Sequence, residues 1–357
     1  MKRAFNFNAG PSAMPAEVLL EAQSEFLDYA GTGMSIIEMS HRSPEYAAMH
    51  AETKALLAEL MGVPEDYEIL FIQGGGSTQF YMHALNFFTK PRAAYVNTGV
   101  WSKKAMEQAA RFGEAYEAAS SADANHSYIP REFAFKPDTS YVHITSNNTI
   151  YGTEYQTFPD FDLPVICDMS SDILSRPVDV SRFDLIYAGA QKNLGPAGVV
   201  IAIVKKAFLE TARKDVPTML SYRTFADHDS LYNTPPVFCI YMVNKTLKWI
   251  KSQGGVEELA RRNRAKAAFI YEAIDASGGF YVGHAQAASR SMMNITFNLA
   301  DRALEKDFVA SAKARGFVGV GGHRLVGGCR ASTYNAVPAE ACRALAEFMR
   351  EYQKNHA

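Results

Sequence analysis

Lys192 stands in DLIYAGAQKNLGPAG (184–198), past an apolar run and before a turn rich in Gly and Pro. An ammonium is costly to take out of water unless it is paired or neutralised. Lys192 is therefore either a solvated turn residue or an amine kept for reaction with a carbonyl. Asp168 closes a second apolar run, LPVICD. A carboxylate that stays ionised beside a heterocycle can hold a ring nitrogen protonated. The plainer reading of Asp168 is a helix cap or a solvated loop residue. Gly74–Gly76 follows YEILFIQ and precedes a helical pattern. Three glycines let backbone close on an anion, and a helix start offers free N–H groups. Ser77 and Thr78 add hydroxyls. The glycines alone fit a tight turn equally well. Together, an amine, a carboxylate and an anion cradle at strand ends are what pyridoxal phosphate requires.

Other residues fall at similar places. Trp101 follows AAYVNTG, where an indole could stack on a planar ligand or simply pack. Ser146–Thr149 follows YVHIT. His41 and Arg42 lie in SHRS, and His323, Arg324 and Arg330 in GGHRLVGGCRAS. Arginine forks suit carboxylate and phosphate, although a loop arginine is most often a solvated charge.

These residues need strand ends to hold them. YEILFIQ (67–73), AAYVNTG (93–99), YVHITSN (141–147), LPVICDM (163–169), DLIYAGA (184–190) and VVIAIV (199–204) read as buried strands. STQFYMHALNFF reads as a helix capped by Ser77 or Thr78, and WSKKAMEQAARFG as another. Strands alternating with helices predict an α/β fold, a mostly parallel central sheet covered by helices. In such sheets ligands sit beyond the carboxyl ends of the strands. After SQGG (252–255) come a long helical pattern (256–277), a strand in SMMNITFNL and two more helices. They predict a smaller α+β C-terminal domain. The expected division is an N-terminal segment 1–15, a large domain 16–255 and a small domain 256–357.

The chain's 357 residues exceed what one core usually holds, and its net charge of -2 gives no basic footprint for nucleic acid. Four cysteines without C-x-x-C spacing argue against a disulfide framework or a metal site. The N-terminus has no apolar signal core, and no apolar run reaches membrane-spanning length, so a cytoplasmic location is expected.

Longer motifs carry a family likeness. FNFNAGPSAMP, EMSHRSPEY, FIQGGGSTQF, NTGVWS, DMSSDILSRPVDVSRFDLIYAGAQKNLGPAG, LYNTPP and GHRLVGGCRASTYNA span nearly the whole chain. The sequence resembles the phosphoserine aminotransferases, within the class V, fold type I pyridoxal-phosphate-dependent aminotransferases. The resemblance implies that Lys192 forms the Schiff base with pyridoxal 5'-phosphate, Asp168 pairs with the pyridine nitrogen, Trp101 stacks on the ring and Thr149 bonds the ring hydroxyl. Gly76, Ser77 and Gln191 would hold the cofactor phosphate, joined by Asn233 and Thr234 of a second subunit in a homodimer. His41 and Arg42, also from the second subunit, with His323 and Arg324, would bind the substrate's phosphate or side-chain carboxylate. Arg330 would grip its α-carboxylate. The implied reaction passes the amino group of L-glutamate to 3-phosphohydroxypyruvate, giving O-phospho-L-serine and 2-oxoglutarate in serine biosynthesis. Some members also handle 4-phosphohydroxy-L-threonine in pyridoxine biosynthesis.

Two positions depart from common family forms. Ser77-Thr78 stands where some members have Arg-Gly, which removes a cation. Ala9 stands where a Ser-Ser-Gly-Pro form supplies a hydroxyl. Rival readings are a class V aminotransferase of the alanine–glyoxylate or serine–pyruvate type and a non-catalytic phosphate-binding α/β protein. The first would not need the His/Arg clusters, and the second leaves Lys192 and Asp168 idle. A cysteine desulfurase would need a cysteine in a mobile Gly/Ser-rich loop, and none is there.

Overall fold

The computed structural model describes residues 3–324 and 326–357; Met1, Lys2 and Leu325 lie outside the described residues. Two of these begin the expected N-terminal segment, and the third falls within GHRLVGG. Seven strands form the central sheet. In chain order they are β1 (Tyr67–Gly74), β2 (Arg92–Asn97), β3 (Glu114–Ser120), β4 (Thr139–Thr145), β5 (Val165–Asp168), β6 (Leu185–Gly189) and β7 (Gly198–Lys205). Their order across the sheet is β1-β7-β6-β5-β4-β2-β3.

β2 to β6 run parallel, whereas β7 is antiparallel to both of its neighbours. The sheet is thus mostly parallel, as expected, with one reversed strand. β7 directly follows β6 through the QKNLGPAG turn, and so short a connection can only return antiparallel. β3 is absent from the expected strands. Its EAYEAAS leaves Glu114 and Glu117 exposed on an edge strand and shows no continuous apolar run.

Both faces of the sheet are buried. Ile69, Phe71, Val142, Ile144, Ile186 and Ile201 pack with Leu57 of the helix Pro44–Met61 and Val243 and Leu247 of Val237–Ser252. Leu70, Ile72, Tyr95, Ile166, Tyr187 and Val200 pack with Phe80, Met82 and Phe87 of the helix Gly76–Phe87. Each fully buried large apolar side chain contributes about 1.5–3 kcal/mol. Helix Pro44–Met61 was not foreseen, yet its signals are explicit. The Ser43 hydroxyl accepts from Tyr46 N, proline fills the first turn, and Gly62 takes the left-handed conformation that stops it.

A third core forms around the antiparallel strands Tyr281–Gly283, Asn294–Leu299 and Cys329–Ser332. Ile295 and Phe297 meet Ile270 of the helix Gly255–Asp275 and Leu345 and Met349 of Ala339–His356. Phe7 belongs to this core as well. Phe5 and Asn6 pair in parallel with Phe317 and Val318, which joins the start of the chain to its last third.

Candidate active site

The carboxyl ends of β4 and β5, the turn after β6 and the starts of two helices enclose a cavity of about 310 Å³. Gly76, Ser77, Trp101, Thr149, Asp168, Gln191, Lys192, His323 and Arg330 all line it. Residues far apart in the chain converge because parallel strands present their carboxyl ends on one side.

The helix Gly76–Phe87 starts at Gly76 with Gly75 as its N-cap and no side-chain cap. This corrects the expected capping by Ser77 or Thr78. Both lie inside the first turn, where N–H groups lack an intrahelical acceptor. Thr78 N is tied back to the Gly75 carbonyl at 2.9 Å. The amides of Gly76 and Ser77 are left at the cavity wall. Gly74 has φ +114, and a Cβ there would sit 2.8 Å from Thr78 Oγ1. Only glycine makes this turn.

Trp101 begins the helix Val100–Ala109, aimed by Gly99 at φ +139. A Cβ on Gly99 would stand 2.5 Å from the Tyr151 ring, so the turn that directs Trp101 into the cavity also requires glycine. The indole Nε1 is buried and makes no hydrogen bond among the described residues.

Lys192 lies in the turn after β6, and its Nζ donates to Thr149 Oγ1 at 2.8 Å. Gly10 flanks its stem, with a Cβ at that place falling 3.6 Å from Lys192 Cγ. Burial draws the amine's pKa down to about 8, and the nearby Arg330 charge pushes the same way against Asp168 and Asp172. Asp168 is buried, and its Oδ1 accepts from Ser170 N at 2.9 Å. Burial raises its pKa, opposed by the Ser170 donors and by Lys192. Arg330 donates to the Thr149 carbonyl at 3.1 Å, and burial lowers its pKa. Burial likewise lowers the His323 imidazole, helped by the Arg330, Arg324 and Lys104 charges.

Other expected residues do not line the cavity of this single chain. Asn233 and Thr234 are exposed beside the end of β1, where Gln73 Nε2 donates to the Thr234 carbonyl at 2.7 Å. His41 and Arg42 precede the helix Pro44–Met61, and Arg324 points outward from its loop. Asn147, within the flagged stretch Ser146–Thr149, lines the cavity, as do Ser170 and Phe80, which were not singled out from sequence. Ser170 neighbours a flagged position, so the strand-end rule could have found it. Asp172 was also missed. It is buried, accepts a hydrogen bond from the Ser146 hydroxyl, and is raised to about 7 by burial and by the Glu154 carboxylate.

The fold and this site define a class of protein. The class-V aminotransferase family model matches residues 4–345, and the chain belongs to that family. It is 57% identical to the phosphoserine aminotransferase of Lysinibacillus sphaericus over 99% of each chain. The solved phosphoserine aminotransferase of Bacillus circulans subsp. alkalophilus matches with a TM-score of 0.98 at 53% identity, covering 100% of both chains. The pyridoxal-phosphate-bound phosphoserine aminotransferase of Trichomonas vaginalis matches with a TM-score of 0.93 at 37% identity, covering 98% of this chain and 100% of that one.

Proposed function

We propose that this chain transfers the amino group of L-glutamate to 3-phosphohydroxypyruvate, the phosphoserine aminotransferase reaction of serine biosynthesis, with pyridoxal phosphate as cofactor. One observation carries the reading. The Lys192 amine, with its lowered pKa, and the buried Asp168 carboxylate share one cavity with the free amides of Gly76 and Ser77. The unbonded Trp101 indole N–H beside them and the cavity of about 310 Å³ suit a phosphorylated ring. The residues therefore fit the cofactor.

Lys192 would bind it, Asp168 would face its ring nitrogen, Trp101 its ring face, Thr149 its hydroxyl, and Gly76, Ser77 and Gln191 its phosphate. When bound, pyridoxal phosphate supplies a carbonyl for the amino group and a ring that accepts electrons from the reacting carbon.

Lys192 Nζ would take the proton from the α-carbon of the amino donor in one half-reaction and give a proton to the α-carbon of the new amino acid in the other. It must be neutral to take that proton, which burial and Arg330 favour. Asp168, when ionised, would hold a proton on the ring nitrogen. Arg330 holds the α-carboxylate common to both substrates. His323 and Arg324, with His41 and Arg42 of a second copy, hold the phosphate or the γ-carboxylate of glutamate. The two substrates use the site in turn, a ping-pong sequence.

A homodimer belongs to this reading, with Asn233 and Thr234 of each copy reaching the cofactor phosphate of the other. Leu20, Leu27, Met34 and Ile37 are exposed on the segment leading to His41, and such an apolar patch suits a second copy of the chain. Free cysteines, and the absence among the described residues of a helix long and apolar enough to cross a membrane, are consistent with a cytoplasmic enzyme.

The test is direct. Borohydride treatment of the purified yellow protein places a cofactor-sized adduct on Lys192 by mass spectrometry. Turnover is then compared for 3-phosphohydroxypyruvate and unphosphorylated keto acids. Absence of the adduct, or equal use of pyruvate, overturns the proposal.

A further inference from the structure

The N-terminal segment crosses the cavity as a strap. At one end Phe7 N donates to the Val318 carbonyl at 2.7 Å, in the C-terminal core. At the other, Ser12 N donates to the Gln191 carbonyl at 3.0 Å, and the Ser12 hydroxyl bonds the Lys192 carbonyl. Between these ties, Ala9 and Gly10 form a wall of the cavity, with Gly10 against the Lys192 stem. The middle of this wall is held by one side chain among the described residues. The Tyr334 hydroxyl donates to the Ala9 carbonyl at 2.8 Å.

A hydroxyl has a single proton to give. What surrounds Tyr334 decides where that proton goes. Asn294 Nδ2 donates to the Tyr334 oxygen at 3.2 Å and to Ser332 Oγ at 3.0 Å. Asn294 Oδ1 accepts from Asn147 Nδ2 at 2.7 Å, which fixes which end of the amide faces Tyr334. With Asn294 and the Thr149 hydroxyl both donating to it, the Tyr334 oxygen acts as acceptor there and directs its own proton to Ala9. Burial holds this hydroxyl up to about 12, so it stays protonated at any working pH. The backbone under it is pinned too. Lys266 Nζ donates to the carbonyls of Thr333 and Tyr334 at 2.9 and 2.8 Å. Asn335 N donates to Asn193 Oδ1 at 3.0 Å, beside Lys192.

We propose that Tyr334 is a positioning residue: its hydroxyl, aimed by Asn294, holds the Ala9–Gly10 strap against Lys192 and so fixes the wall along which substrate and amine meet. Its consequence for turnover rests on the aminotransferase reading above, whereas the tethering itself does not. The wall lies beside the amine that both half-reactions use, so its loosening acts on both substrates alike. A merely structural role would lower thermal stability and leave binding alone.

The experiment uses the full-length holoenzyme and two variants. Tyr334→Phe deletes one oxygen and leaves the ring. Asn294→Asp keeps the Tyr334 hydroxyl but replaces the donor facing it with an acceptor, so the tyrosine proton turns away from Ala9. Both variants are expected to speed amide hydrogen exchange in residues 8–12 and to raise KM for glutamate and for 3-phosphohydroxypyruvate by the same factor. That factor is roughly fivefold to tenfold, the size of one net hydrogen bond. Unchanged exchange in Tyr334→Phe overturns the tether. A slow strap in Asn294→Asp beside a fast one in Tyr334→Phe overturns the aiming role of Asn294. Faster exchange with both KM values unchanged overturns the positioning role. Wild-type protein that tethers its strap normally but fails to transaminate separates failure of the functional reading from failure of this inference.

Discussion

The Lys192 amine donates to the Thr149 hydroxyl at 2.8 Å. Arg330 donates to the carbonyl of the same residue at 3.1 Å. One residue thus spaces the amine proposed to react from the group proposed to hold the substrate carboxylate. Thr149→Val keeps the shape and removes the side-chain acceptor. It is expected to lower kcat roughly tenfold to a hundredfold, the range for a hydrogen bond to a charged group. Lys192→Ala removes the proposed proton carrier itself and is expected to cost at least the roughly 10²–10⁴ of a general base. It also loses the colour of lysine-bound cofactor. Steady-state kinetics and absorbance check both; a coloured, active Lys192→Ala protein would end the assignment.

Lys192 titrates near 8 rather than 10.5 because burial and Arg330 disfavour its charge. Its reaction with an amine-modifying reagent in cofactor-free protein should therefore rise with pH through about 8. Arg330→Gln removes one of the two downward influences and should move that midpoint up. Asp168→Asn removes an upward influence and should move it down. Rates that climb only above pH 10 in wild type would show a solvated lysine.

The strand-end residues were legible because chemistry and fold coincide there. Asp168 and Lys192 each follow an uninterrupted apolar run, and that pattern names both a buried strand and its exit. The reversal of β7 follows from its short connection to β6, yet VVIAIV reads the same in either direction. β3 escaped notice because an edge strand needs no full apolar face. The link Asn147–Asn294–Tyr334–Ala9 joins residues 147, 40 and 325 positions apart. Nothing local distinguishes Asn294 from any other polar residue in a strand. Asn233 and Thr234 took their roles from the family likeness alone, as His41 and Arg42 took their place in a second subunit, and one chain's geometry leaves all four outside its own cavity.

Lys266 is only 2% exposed and donates to backbone carbonyls rather than to a carboxylate. Burial lowers its pKa to about 8 from 10.5. Between these values the unfolded chain binds more protons than the folded one, so this group makes stability rise with pH across that window. In urea titrations of cofactor-free protein, wild type should gain on Lys266→Met as pH rises from 8 to 10. The gain can reach about 1.4 kcal/mol per pH unit, the linkage of one proton. Parallel slopes for the two proteins would show that Lys266 keeps its ordinary pKa in the folded protein.

The cations at the mouth should divide by substrate. Arg330 is proposed to hold the carboxylate that both substrates carry, so Arg330→Ala should raise KM for both. Arg324→Ala should raise KM mainly for 3-phosphohydroxypyruvate, by roughly tenfold to a hundredfold for a lost charge-assisted bond. Pyruvate supplied as an alternative acceptor should be insensitive to Arg324. An equal rise for phosphorylated and unphosphorylated acceptors would remove Arg324 from phosphate binding.

Arg42 supplies the test of the shared site. It is exposed and absent from the cavity of its own chain, and the reading assigns it to the cavity of a second copy. A dimer pairing one Lys192→Ala chain with one Arg42→Ala chain separates the two geometries. If Arg42 acts across the interface, the Lys192→Ala chain lends its intact Arg42 to the site that still has Lys192. That site is then complete, and the other carries both defects. The heterodimer, purified through two different tags, should show about half the wild-type activity per dimer at the wild-type KM for 3-phosphohydroxypyruvate, as two-fold symmetry requires. If Arg42 acts within its own chain, no site in the heterodimer is complete, and KM should stay as high as in the Arg42→Ala homodimer. The value of KM therefore decides which chain owns the substrate site, independently of how much total activity survives purification.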